Sequence, residues 1–144
     1  MNILILNGPN LNMLGLREPE IYGNNTYQDL EDYITSLEAV YNITTDTKQT
    51  NYEGILIDII QYANDHYDGV LLNAGAFTHY SYALYDAIKS ISIPVVEVHL
   101  SDITKREEFR KISVIKDACI ASFMGLGFKS YEEGIKELLK GRTK

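Results

Sequence analysis

A chain of 144 residues with 45% hydrophobic and 23% charged side chains has the composition of one globular domain with a real core, not of a disordered or fibrous chain. Its net charge of −7 speaks against a nucleic-acid partner, which would need a basic stripe. No apolar run approaches the roughly 20 residues that cross a bilayer, so no membrane partner is expected either.

The first element is a continuous apolar run over residues 2–7, as expected of a strand buried on both faces. It has neither the basic flank nor the small-residue cleavage site of a signal peptide, and it runs straight into Asn-Gly-Pro-Asn. A single cysteine, Cys119, allows no disulfide within the chain and sits among Ala118, Ile120 and Ala121, which reads as a buried structural thiol. A reducing cytoplasm is therefore the expected compartment.

Thr26 and Asp29 form a capping pair for a helix whose stripe is Leu30, Ile34, Leu37 and Val40, running to about Tyr41. The more polar, β-branched stretch from Ile43 to Gln49 suits an edge strand. Asn51 is placed to cap a second helix in which Ile55, Leu56, Ile59, Ile60 and Ala63 share a face. Gly69 to Asn73 is the third strand, and residues 80–90 form a third helix with Ala83, Leu84, Ala87 and Ile88 inward. Pro94 opens a fourth strand, Val95 to Leu100, where proline costs little. A polar segment from Ser101 to Lys116, with a short helix, leads to a fifth strand at Ala118 to Met124. Ser130 and Glu133 look like a capping box for the last helix, which runs to about Lys140.

Five strands alternating with helices predict an α/β fold, a three-layer sandwich around a parallel sheet with right-handed crossovers. The expected strand order is 2-1-3-4-5, the flavodoxin-like arrangement, built as one domain over residues 1–144. That fold hosts many chemistries and decides nothing about function. Its topology does place the ends of strands one, three and four side by side. Asn7 and Asn10, Asn73, and Glu97-Val98-His99-Leu100-Ser101 should therefore meet around one cleft.

Within that cleft, Asn73-Ala-Gly-Ala-Phe-Thr-His79 is a small-residue loop, either an anion cradle or a plain strand-to-helix turn. Glu97 and His99, two apart on a strand, point to the same side, so the carboxylate fixes the imidazole tautomer and raises its pKa. A strand-end Glu-x-His is also a common structural pair. The three histidines show no zinc-binding spacing. Tyr22 follows Arg17 by five residues in the first loop. A phenol is a poor base at pH 7, and lowering its pKa by three units takes about 4 kcal/mol, which a guanidinium in a shielded site supplies in large part. The cations Lys105, Arg106, Arg110 and Lys111 read as a solvated helix face, Arg110 being singled out below. No Gly-x-Ser-x-Gly elbow, Walker lysine or G-x-G-x-x-G turn occurs. An acid, a base, amides and arginines suit proton abstraction beside a carbonyl followed by loss of a leaving group.

Six segments in order carry a resemblance: Leu-Asn-Gly-Pro-Asn-Leu-Asn-Met-Leu-Gly, Arg-Glu-Pro-Glu-Ile-Tyr-Gly, Gln-Thr-Asn-Tyr-Glu-Gly, Asn-Ala-Gly-Ala-Phe-Thr-His, Glu-Val-His-Leu-Ser and Arg-Glu-Glu-Phe-Arg. They closely resemble type II 3-dehydroquinate dehydratase, from about residue 2 to Gly125-Leu126-Gly127. The resemblance implies trans elimination of water from 3-dehydroquinate to give 3-dehydroshikimate, with no cofactor and no metal, in shikimate biosynthesis or quinate catabolism. It implies Tyr22 as phenolate base, Arg17 as its stabiliser and loop closer, and Asn10 as the holder of a water against the enolate oxygen. His99, oriented by Glu97, would protonate the departing hydroxyl. Asn73, Leu100 and Ser101 would bind the substrate carboxylate and ring, and His79 and Arg110 the ring hydroxyls. Asp86 would reach a neighbouring subunit's site, implying trimers assembled four at a time into a dodecamer. Tyr52, Phe77 and Tyr85 stand where histidine, tyrosine and arginine are usual. A flavin- or phosphoryl-binding flavodoxin-like module is the alternative, though the first loop lacks a hydroxyl- and glycine-rich phosphate cradle.

Overall fold

In the computed structural model, which describes residues 1–141 and of Tyr22 the backbone alone, five parallel strands form one sheet in the order β2-β1-β3-β4-β5. They are β1 (Asn2–Asn7), β2 (Thr44–Gln49), β3 (Gly69–Asn73), β4 (Val95–Val98) and β5 (Ala121–Phe123). The helices are a short α1 (Pro19–Tyr22), then α2 (Tyr27–Tyr41), α3 (Glu53–His66), α4 (Tyr82–Lys89) and α5 (Lys129–Lys140).

The period of two along β1 divides the core between the sheet's faces. Ile3 and Ile5 pack with Leu30 and Ile34 of α2 and with Tyr131, Ile135 and Leu138 of α5. Leu4 and Leu6 pack with Leu56 and Ile60 of α3 and with Leu84 and Ile88 of α4. All four β1 side chains are fully buried, each worth roughly 1.5–3 kcal/mol relative to exposure. The polar β2 lies at one edge, and the three-residue β5 at the other. No helix among the described residues is long and apolar enough to cross a membrane.

The Thr26–Asp29 capping box forms in both directions, with Asp29 N–H donating to Thr26 Oγ1 (3.1 Å) and Thr26 N–H to Asp29 Oδ2 (2.9 Å). The two other expected caps do not form. Tyr52 rather than Asn51 precedes α3, and Asn51 Oδ1 instead accepts from Asn10 N–H (3.0 Å). Ser130 lies inside α5, where its Oγ accepts from Leu126 N–H (3.3 Å). Val40, Ile55 and Ala83 face outward, each one residue off a stripe that runs Leu30-Ile34-Leu37, Leu56-Ile60-Ala63 or Leu84-Ala87-Ile88. The strand expected from Ile43 starts at Thr44, and the one expected over Ala118 to Met124 is confined to Ala121–Phe123. Between β4 and β5 the single expected helix is replaced by three 3₁₀ turns, at Ile103–Lys105, Glu108–Arg110 and Lys116–Ala118.

Candidate active site

The strand ends meet as topology requires. Asn7 pairs in register with Asn73 across β1 and β3, and Leu72 with Glu97 across β3 and β4. The loops that leave β1 and β3 press together. Gly75, at φ +58°, has its α-carbon so close to Pro9 that a Cβ would lie 2.9 Å from the Pro9 carbonyl oxygen. Only glycine fits both the left-handed backbone and that contact.

Beyond these ends lies a cavity lined from β1's loop by Asn10, Leu14 and Arg17, and from β3's loop by Asn73, Gly75 and His79. His99, Leu100, Ser101, Arg106 and Arg110 close it from the β4 side. Eight of the eleven expected site residues thus share one concavity. Glu97 stands behind His99. Asp86 is exposed on α4 and does not line the cavity, and the Tyr22 side chain lies outside the described residues.

Glu97 is completely buried, and its carboxylate is saturated with donors. Oε1 accepts from His99 Nε2 (2.7 Å), Ser113 Oγ (2.6 Å) and Thr78 Oγ1 (2.9 Å), while Oε2 accepts from Ser122 Oγ (3.2 Å). Burial pushes this carboxyl's pKa up, but the His99 hydrogen bond and charge with the Ser113 and Thr78 hydroxyls prevail and hold it below the usual glutamate range. Because a carboxylate only accepts, Nε2 of His99 must carry a proton. Nδ1 is then the nitrogen that takes and gives the second one. Such a carboxylate–imidazole pair at a cavity wall is equipped for general acid catalysis.

His79 is fixed by the same logic: its Nδ1 donates to the Ile112 carbonyl (2.8 Å), leaving Nε2 for the cavity. Burial is the main cause that lowers its pKa; the hydrogen bond to the Ile112 carbonyl opposes it, and the charges of His99, Arg110 and Arg106 add to the lowering. Arg110 pairs with Glu107 (2.7 Å) and lies over the Phe109 ring. Sequence reasoning passed over Arg106 as part of a solvated face. Its side chain is only 10% exposed, lies 3.4 Å from Ser101 Oγ, and approaches Glu18, which also pairs with Arg17 at 3.3 Å. The available signal was position alone, since Arg106 follows the polar end of β4 by a few residues. Cys119 is half-buried rather than buried. Burial first, then the Glu97 charge, pushes its thiol up to about 12, so it is no nucleophile.

Residues 1–139 match the family model described as Dehydroquinase class II. The chain belongs to the class II dehydroquinase family. The 3-dehydroquinate dehydratase of Clostridium acetobutylicum is 51% identical over 138 residues, 96% of each chain. That of Bacillus licheniformis is 49% identical over 143 residues, 99% of each. Among solved structures, the type II dehydroquinase from Butyrivibrio crossotus superposes with a TM-score of 0.94 at 47% identity, covering 96% of this chain and 97% of that one. The Propionibacterium acnes type II dehydroquinase gives a TM-score of 0.91 at 39% identity, over 95% and 94%. These matches leave the flavin-binding alternative without support. Of the three departures from the usual family pattern, Tyr52 is exposed, Tyr85 is half-buried on α4, and the Phe77 ring packs edge-on against Tyr80.

Proposed function

We propose that this family member dehydrates 3-dehydroquinate to 3-dehydroshikimate by trans elimination through an enolate, as one catalytic domain over residues 1–144 that needs no cofactor. Tyr22, as phenolate beside Arg17, removes a proton from the carbon next to the ketone. Asn10 holds a water against the developing enolate oxygen. His99 Nδ1 delivers a proton to the departing hydroxyl while Nε2 stays on Glu97. Asn73, Leu100 and Ser101 receive the substrate carboxylate and ring, and His79 and Arg110 the ring hydroxyls. The observation that carries this reading is the donor-saturated Glu97 carboxylate, 2.7 Å from His99 at the wall of a cavity lined by Asn10, Arg17 and Asn73.

Mixing the protein with 3-dehydroquinate should produce the ultraviolet absorbance of a conjugated enone, and no such signal would overturn the reading. Borohydride added with substrate should leave activity intact, because no lysine imine forms. Inactivation would point to a different mechanism.

The same reading makes the enzyme a cytoplasmic dodecamer of four trimers in which Asp86 serves a neighbouring subunit's site. What supports this is the surface around Asp86. Tyr82, one helical turn earlier on the same face of α4, is 70% exposed. Light scattering should give a mass about twelve times the 16.3 kDa chain. A monomeric mass would remove Asp86 from the site.

A further inference from the structure

Beneath the cavity floor, α5 reaches the ends of β1 and β3 through one side chain. Tyr131 is fully buried, and its hydroxyl lies 2.7 Å from Asn7 Oδ1 and 2.9 Å from Asn73 Nδ2. Close packing makes this reach possible. Gly134, one turn later on the same face, lies so near the sheet that a Cβ would meet Leu71 Cδ2 at 2.7 Å and Val98 Cγ1 at 3.2 Å. A larger residue there would lift α5 and withdraw the phenol.

The hydrogen bonds around Tyr131 have a direction that can be deduced from one end. Gly75 N–H can only donate, so the Asn73 atom 3.2 Å away is Oδ1 and its amide nitrogen faces Tyr131. The Tyr131 oxygen therefore accepts from Asn73, and its single proton goes to Asn7 Oδ1. Asn7 Nδ2 in turn points at the Tyr27 hydroxyl, 3.4 Å away. The Gly75 N–H thus forbids the flip of the Asn73 amide, and the Tyr131 oxygen, as acceptor, holds its nitrogen in place. It leaves the second N–H of Nδ2 for an acceptor oxygen in the cavity that Asn73 lines.

We propose that Tyr131 is a positioning residue for substrate binding: through its hydroxyl it holds the Asn73 amide and the Gly75 loop in the orientation that receives the substrate's oxygen atoms. This rests on the reading of Asn73 as a substrate contact. Nothing in the local sequence announces the role, because Tyr131 sits on the apolar stripe of a helix.

The test is a double-mutant cycle in the dehydration assay. Tyr131→Phe keeps the ring and removes the hydroxyl, and it should raise KM about tenfold, the equivalent of one lost hydrogen bond to a buried polar group, with kcat within about threefold of the parent. In an Asn73→Ala background the same change should add almost nothing to KM, since the amide it orients is gone. An unchanged KM in Tyr131→Phe beside an impaired Asn73→Ala overturns the inference alone. So does an equal KM increase in both backgrounds, which would mark a merely structural effect. An unimpaired Asn73→Ala overturns the substrate-contact reading and this inference with it. Should Tyr131→Phe fail to fold, Asn7→Ala frees the Tyr131 proton from below and should raise KM in the same Asn73-dependent way. An increase independent of Asn73 would again sink the proposal.

Discussion

Tyr22→Phe is expected to lower kcat by about 10³-fold or more while KM stays within a few-fold, because only the proposed base has been removed. A phenol with its ordinary pKa near 10 is almost wholly protonated at pH 7. Work as a base there calls for a preference of about 4 kcal/mol for the phenolate. Arg17, at the cavity wall, is the group we hold responsible for most of it. The pH dependence carries a second, independent expectation. Activity should fall on the acid side as the phenolate is protonated, and Arg17→Met should move that limb toward the alkaline side. Lysine at position 17 should recover part of the shift, since it restores the charge without the planar fork. A pH–kcat profile unchanged in Arg17→Met would separate the guanidinium from the base. A Tyr22→Phe enzyme turning over within about tenfold of the parent would assign proton abstraction to another group.

Much of this site was legible from the chain because parallel topology does the placing. Once β1, β3 and β4 were read from their apolar runs, their carboxyl ends had to be neighbours, and Asn7, Asn73 and Glu97 followed. The Glu97–His99 pair was visible because a strand repeats every two residues. The hydroxyl cage was not visible. Thr78, Ser113 and Ser122 come from three separate segments, and each is an ordinary polar residue until the fold brings it to one carboxylate. The failed caps teach the same lesson from the other side. Asn51 and Ser130 have the right chemistry for a helix start, but a short polar side chain bonds whichever backbone N–H is nearest, and the loops at Asn10 and Leu126 offered one. Arg106 escaped because a long cation beside other cations looks solvated in one dimension. Only burial separates it from Lys105 and Lys111.

Glu97→Gln tests that hidden cage, and the second-largest loss is expected from it: a fall in kcat of about 10²-fold or more at little change in KM. Three donors converge on Oε1, and glutamine must either turn its NH₂ toward them or present it to Ser122 on the other side. Even the better orientation removes the charge beside the imidazole. At an effective dielectric constant near 20, opposite charges 4 Å apart attract by about 4 kcal/mol, so the loss is large enough to slow the proposed proton delivery to the departing hydroxyl. Stability should respond too, with a definite sign. The folded carboxyl titrates below the usual glutamate value of 4.5, so its stabilising contribution is complete above that value and is lost as pH falls through the lower, folded one. Urea unfolding should therefore show the parent protein more stable than Glu97→Gln at neutral pH, with the gap closing in acid. A gap that widens on acidification would mean that burial, not the four donors, sets the state of this carboxyl. His99 would then be turned by shape alone, with no charge behind it.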